Sequence, residues 1–256
     1  MIIDLHSHLV PSVDDGASSV AEALLALGGL EAERVSSVVT TPHLLVPFLE
    51  SRAGVVRELD RHRAGFDLLA RAAAGAPGPL PELGLGQEIW APSAASVRTA
   101  LECPGLGLGG SRYLLVEFGF DLAGDHREVI DAVLDADYRI VIAHPERYRF
   151  SPGFDPIATA AAWREAGALL QLNAGSLGGH YLHSSPDSRA LAWRLIEHGL
   201  ADLIATDHHA ASRPVSVSEP WNLLVEAGRE AQARAMMIDT PARILRDEEI
   251  ERQAAA

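Results

Sequence analysis

Ile2-Ile3-Asp4-Leu5-His6-Ser7-His8 opens the chain, and Leu203-Ile204-Ala205-Thr206-Asp207-His208-His209 answers it far downstream. Both are short aliphatic runs that close on side chains of metal-ligand type. Alternate side chains of an extended strand share a face. The pattern therefore sets His6 beside His8, and Asp207 beside His209, with His208 turned away. Working inward, further apolar runs cover 36–43, 82–90, 113–119, 139–146 and 169–175. They carry Thr41-Pro42-His43, Gly86-Gln87-Glu88-Ile89, Leu115-Val116-Glu117-Phe118 and Ile142-Ala143-His144-Pro145-Glu146-Arg147. A buried carboxylate is costly unless paired or bound to a cation. Glu88 and Glu117, set in apolar runs, therefore weigh more than any lone histidine. Taken singly the signals are weak: a histidine pair is a ligand pair about as often as not, and Asp14-Asp15-Gly16 reads first as a turn. Their recurrence at the ends of successive runs is the strong signal.

Between these runs lie Ala/Leu/Arg/Glu segments of helical spacing at 18–34, 51–74, 125–136, 157–167, 187–199 and 219–235. Strands alternating with helices imply a parallel sheet, and nearly continuous apolar strands imply cover on both faces. An open doubly wound sheet gathers its site at one crevice, whereas a β/α barrel builds it from the C-terminal ends of many strands. Ligand-type residues at nearly every strand end favour the barrel. Seven runs rather than eight predict a distorted, seven-stranded, TIM-like α/β barrel. The Gly/Pro-rich stretches 75–81 and 104–110 read as loops, so residues 1–256 are expected to form a single domain. Ala21, Leu24, Leu25 and Leu27 read as helix core. His62, His126 and His198 read as helix-surface or helix-end residues, and His180 and His183 as exposed loop residues.

Composition narrows the chemistry. A net charge of −14 leaves no basic patch for nucleic acid. All 21 cationic side chains are arginine, which excludes Schiff-base lysine chemistry and Walker-type phosphate loops. The single cysteine, Cys103, allows no intramolecular disulfide and fits a reducing compartment. Position 109, six residues on, is Gly rather than Arg, so a cysteine phosphatase loop is closed off. No secretory signal follows Met1, and no apolar stretch approaches the ~20 residues of a membrane helix. A cytoplasmic protein without membrane insertion is expected.

The motif set resembles the PHP (polymerase and histidinol phosphatase) superfamily. Within it, the chain looks most like the manganese-dependent bacterial protein-tyrosine phosphatases of capsule and exopolysaccharide gene clusters. The likeness runs nearly end to end. It includes Asp-Leu-His-Ser-His, Thr-Pro-His, Gly-Gln-Glu-Ile, Val-Glu-Phe and Ala-His-Pro-Glu-Arg-Tyr. It continues through Gln171-Leu172-Asn173-Ala174-Gly175-Ser176, Thr-Asp-His-His, Arg213-Pro214 and Asp239-Thr240-Pro241-Ala242-Arg243-Ile244-Leu245. The resemblance implies three divalent ions: one on His6, His8, Glu88 and Asp207; a second on Glu88, Glu117 and His144; a third on Asp15, His43 and His209. It implies that Arg147 and Arg213 bind phosphate, and that water activated by the ions hydrolyses the ester directly. Manganese is the ion the family suggests; iron and zinc also fit the donors. The implied substrate is a phosphotyrosine protein such as a bacterial tyrosine autokinase. A small-molecule phosphatase acting on histidinol phosphate is the alternative, and a non-catalytic barrel would predict decay of a ligand set that is intact here. Leu44-Leu45-Val46-Pro47-Phe48-Leu49 departs from the pattern, because relatives often carry a histidine or basic residue there. It reads as an oligomer contact, an altered substrate rim or a lid, with the contact preferred.

Overall fold

The computed structural model describes residues 1–49 and 51–250. Residue 50 and residues 251–256, part of the expected domain span, lie outside them. The strands are β1 (Ile2–Asp4), β2 (Val35–Thr40), β3 (His43–Leu44), β4 (Glu82–Leu85), β5 (Glu88–Trp90), β6 (Tyr113–Glu117), β7 (Asp121–Leu122), β8 (Arg139–Ala143), β9 (Arg149–Phe150), β10 (Leu169–Asn173) and β11 (Leu203–Ala205). The α-helices are α1 (Val20–Ala32), α2 (Arg52–Ala74), α3 (Ala94–Leu101), α4 (Arg127–Asp135), α5 (Pro156–Glu165), α6 (Ala174–Gly178), α7 (Ser188–Glu197), α8 (Ser218–Glu226), α9 (Glu230–Arg234) and α10 (Thr240–Leu245).

Every ladder is parallel. One sheet has the order β1-β2-β4, a second β11-β10-β8-β6-β5-β3, and β7 pairs with β9 at the rim. The first two sheets are segments of one circuit. The line of β2 resumes as β3 beyond Thr41 and Pro42, and that of β4 resumes as β5 beyond Gly86 and Gln87. Pro42 has no N–H to give a ladder. Across the breaks, Gly86 N donates to Thr40 O at 2.9 Å and Glu88 N to Pro42 O at 3.2 Å. On the far side, past the last residues of β1 and β11, Ser7 bridges His208 in parallel. There His8 N donates to His208 O and Asp207 N to His6 O, both at 2.8 Å. The seven expected strand lines are thus present, distorted by two interruptions and by a seam outside the regular strands.

Alternation sorts the side chains into two cores. Leu114, Val116, Ile140 and Ile142 face the helices. Leu115, Val141 and Ala143 face inward, where they meet Leu5, Val39 and Leu203. The helices are anchored locally. Ser19 caps α1 by accepting from Glu22 N, and Ser93 caps α3 in a reciprocal capping box with Ser96.

Several expectations need correction. The buried stripe of α1 is Ala23, Leu27 and Leu30, spaced i, i+4, i+7; Leu25 is 80% exposed and Ala21 is also exposed. His62 is not a surface residue: it is fully buried on α2, with Nδ1 2.7 Å from Gln87 Oε1. The helix expected at 219–235 is two helices, α8 and α9. Between them Gly228 takes φ +72°, a conformation a helix cannot continue through. Cys103 is buried as packing.

Candidate metal centre

The ligand-type residues converge at the C-terminal ends of the strands. His6 and His8 follow β1, Glu88 opens β5, Glu117 closes β6, and His43 opens β3. His144 follows β8, Asp207 and His209 follow β11, and Asp15 sits in the loop before α1. Strand alternation does not aim all of them. His144 has φ +33° and Asp207 φ +52°, so both leave their strands through a left-handed turn. The expectation that Asp207 and His209 share a strand face is therefore wrong in mechanism, although the two do converge.

Donor atoms within 4.8 Å of one another form four overlapping groups. They are His6, His8 and Asp207; His6, Glu88 and His144; His43, Glu88 and Glu117; and His8, Asp15, His43 and His209. Glu88 lies at the centre, with Oε1 2.9 Å from His144 Nε2 and Oε2 3.3 Å from His8 Nε2. Asp15 Oδ1 is 3.3 Å from His43 Nε2 and 3.2 Å from His209 Nε2. Glu117 groups with His43 and Glu88 rather than with His144.

Two observations test whether these donors suit a cation. His6 Nε2 and His8 Nε2 lie 3.2 Å apart, too close for both to carry a proton. Glu88 Oε2 and His43 Nδ1 are 2.7 Å apart, yet neither makes a hydrogen bond of acceptable angle. These atoms point at a common centre rather than at each other. The set of imidazoles and carboxylates, with no thiolate, suits Mn, Fe or Zn.

A supporting layer fixes the imidazoles. His6 Nδ1 donates to Gln171 Oε1 at 2.9 Å, His8 Nδ1 to Asp14 Oδ2 at 2.8 Å and His209 Nδ1 to the carbonyl of Asp207 at 2.9 Å. In the His6 and His8 rings Nε2 is left to face the cluster, whereas His209 Nε2 lies 3.2 Å from Asp15 Oδ1 and 2.5 Å from Arg213 Nη2. Gln171 Nε2 donates on to Asn173 Oδ1, and Asn173 Nδ2 to Asp207 Oδ2. This relay ties β1 to β11 through β10. Asp14, Gln171 and Asn173 were not among the expected site residues. The available signal was the polar pair at 171 and 173, alternating in a run otherwise apolar.

Arg147 and Arg213 reach the same cluster. Arg147 Nη1 donates to Asp207 Oδ2 at 2.9 Å, and Arg213 Nη2 lies 3.4 Å from Asp207 Oδ1. The Arg147 guanidinium is held between two rings, 4.3 Å from the centroid of Tyr181 and 5.0 Å from that of Phe120. The Nε of each arginine is buried with no hydrogen-bond partner among the described residues. His180 pairs instead with Glu219 at 2.8 Å, and His183 is exposed.

Burial and crowding shift the titration of these groups. Burial alone would lower His8, but Asp14, Asp207 and Glu88 hold it well above the ordinary imidazole value. His6 is raised against the same desolvation by Glu88 and Asp207. Desolvation would raise Glu88, yet His6 and His43 keep it well below the usual carboxylate range. Glu117 is pushed up to about 7, first by burial and then by Glu88. His144 falls to about 4, mainly through burial. Protons on imidazole nitrogens thus balance the carboxylates, and a cation can displace them.

Imidazoles and carboxylates at the C-terminal ends of parallel strands, with two arginines alongside, define an α/β protein whose candidate metal centre is built at its strand ends. The chain belongs to the capsular polysaccharide synthesis CpsB/CapC family, whose sequence pattern it matches over residues 2–246. It is 28% identical to the tyrosine-protein phosphatase YwqE of Bacillus subtilis over 254 residues, covering 98% of this chain and 94% of YwqE. It is also 28% identical to the putative tyrosine-protein phosphatase CapC of Staphylococcus aureus, covering 86% of this chain and 82% of CapC. The fold matches a chain from the crystal structures of YwqE and of Streptococcus pneumoniae CpsB, described as unique metal-dependent tyrosine phosphatases. That match has a TM-score of 0.76 at 25% identity and covers 99% of this chain and 98% of that one.

Proposed function

We propose that this chain is a metal-dependent protein-tyrosine phosphatase acting on a bacterial tyrosine kinase that controls capsule or exopolysaccharide synthesis. One observation carries the reading: a buried cluster of cation ligands lies beside two guanidiniums whose Nε donors are unpartnered. Full-length similarity to tyrosine-protein phosphatases supports it. The reading extends to one domain in the cytoplasm that binds no nucleic acid and does not insert directly into a membrane. The described residues contain no helix long and apolar enough to cross a membrane.

Three ions, manganese by preference, would be held by His6, His8, Glu88 and Asp207; by Glu88, Glu117 and His144; and by Asp15, His43 and His209. Such ions supply Lewis acidity for phosphoryl oxygens and lower the pKa of water towards ~7. Their charge also explains how a chain of net charge −14 receives a phosphate dianion. Asp14, Gln171 and the Asp207 carbonyl orient the imidazoles so that Nε2 stays available. Arg147 and Arg213 present N–H donors to the equatorial oxygens, which carry the charge in the transition state. Burial of the cluster excludes bulk water and strengthens these contacts.

The test is phosphate release from a phosphotyrosine peptide and, in parallel, from histidinol phosphate, using metal-stripped protein with and without Mn²⁺. Mn²⁺-dependent turnover of the peptide is expected. Preference for histidinol phosphate would overturn the substrate assignment and leave the metal site in place.

A further inference from the structure

Among the described residues, the only exposed phenylalanines are Phe48, 70% exposed, and Phe120, 38% exposed. Both stand on one edge of the candidate site. Phe120 stacks on His144 with centroids 5.9 Å apart and planes 15° apart, and Arg147 lies over its ring. Trp90 sits in parallel register beside Glu117. Gly119 takes φ +94°, and a Cβ there would come 3.0 Å from Trp90 Nε1, so the chain passes close against the indole. Phe48 extends the edge, its ring 5.5 Å from that of Trp90. Within the divergent segment 44–49, Leu44 and Val46 are buried, whereas Leu45 and Phe48 are exposed.

We propose that Phe48, Trp90 and Phe120 form a wall that packs against the aromatic ring of the substrate and selects aryl over alkyl phosphomonoesters. The inference rests on the phosphatase reading and refines its substrate class. A phosphoryl group bound between the ligand cluster and Arg147 leaves its ester oxygen directed towards the mouth. An aryl group there meets exposed ring faces, and offset or edge contacts between rings favour it beyond simple area burial. An alkyl chain gains less.

The experiment measures kcat/KM for phenyl phosphate and for glycerol 2-phosphate on the Mn²⁺-loaded wild type, Phe48→Ala and Phe120→Leu. It also measures inhibition by phenylphosphonate and by inorganic phosphate. The aryl-to-alkyl ratio of kcat/KM is expected to fall about tenfold in each variant, with a parallel fall in the preference for phenylphosphonate over phosphate. Each ratio is taken on one sample, so partial misfolding cancels. Unchanged ratios in variants of a wild type that hydrolyses phosphotyrosine peptide would overturn the wall alone. A wild type that prefers histidinol phosphate to the peptide would overturn the tyrosine-phosphatase reading, and the wall with it.

Discussion

Glu146 is buried beside the site without belonging to the ligand set. Its Oε1 accepts from Asn173 N at 2.9 Å and from Ser176 Oγ at 2.7 Å, while Oε2 has no partner. Burial pushes its pKa from 4.5 to about 7. Because the folded value is the higher, its stabilising contribution is complete below pH 4.5 and is lost as pH rises through 7. Glu146→Gln should therefore gain thermal stability over the wild type between pH 5 and pH 8, by on the order of 2 kcal/mol at the upper end. A difference between the two melting curves that stays flat with pH would contradict this. Asp14 is the opposite case. His8 outweighs the cost of its burial and brings it to about 2, so it is an anion throughout the working range. Asp14→Asn should weaken Mn²⁺ binding roughly tenfold, measured by chelator competition, because the amide no longer carries the charge that fixes His8. The sequence presents Asp14 and Asp15 as equals in one turn. Only the fold separates the residue that faces the cluster from the one that orients a ligand.

Helix α1 does more than cover the barrel. Glu33, its C-cap residue, accepts from Ser216 Oγ, Val217 N and Ser218 N at 2.7, 2.8 and 2.7 Å. Glu22, on the same face about three turns earlier, accepts from Ala211 N at 3.0 Å. Together they brace both sides of the segment carrying Arg213. Glu33→Ala should cost about 1 kcal/mol, a value at the lower end because the carboxylate is half-exposed. It should also raise KM more than it lowers kcat, since the loop that presents Arg213 loosens. A steady-state comparison with a thermal melt on the same preparation checks both. Helices such as α1 and α2 were legible because their apolar spacing is long and regular. The inward face of α1 was misread: at 3.6 residues per turn Ala21, Leu24, Leu25 and Leu27 spread over roughly 160° of the helix, whereas the buried Ala23, Leu27 and Leu30 fall within about 60°. Short α6 and α10 give too few turns for periodicity to register.

Across the whole molecule, all nine expected ligand residues and both arginines meet at one end of the barrel. The parallel α/β architecture and the strand count were readable because each apolar run closes on a chemically distinctive residue. The breaks at Pro42 and Gly86, the left-handed turns at His144 and Asp207, and the Gln171–Asn173 relay were not readable, since each depends on contacts distant in sequence. The crowded charge also sets how the molecule responds to metal. Mn²⁺ at about a hundred times its dissociation constant should add about 2.7 kcal/mol of stability. The gain should shrink as pH falls, because a proton on His8, held well above the ordinary imidazole value, competes with the ion. Melting temperatures that Mn²⁺ leaves unchanged at neutral pH would argue against an ion in the cluster.

The seam between β1 and β11 also fixes when the site can exist. His6 and His8 leave the ribosome some two hundred residues before Asp207 and His209. The bonds from His8 N to His208 O and from Asp207 N to His6 O join segments made about two hundred residues apart. A nascent chain can build helices and several strand pairs as it emerges, yet it holds no complete ligand set until β11 has been made. Contacts of such long sequence separation form late and slowly. A growing or truncated chain is thereby kept from assembling the cluster, and metal capture becomes a mark of a finished barrel.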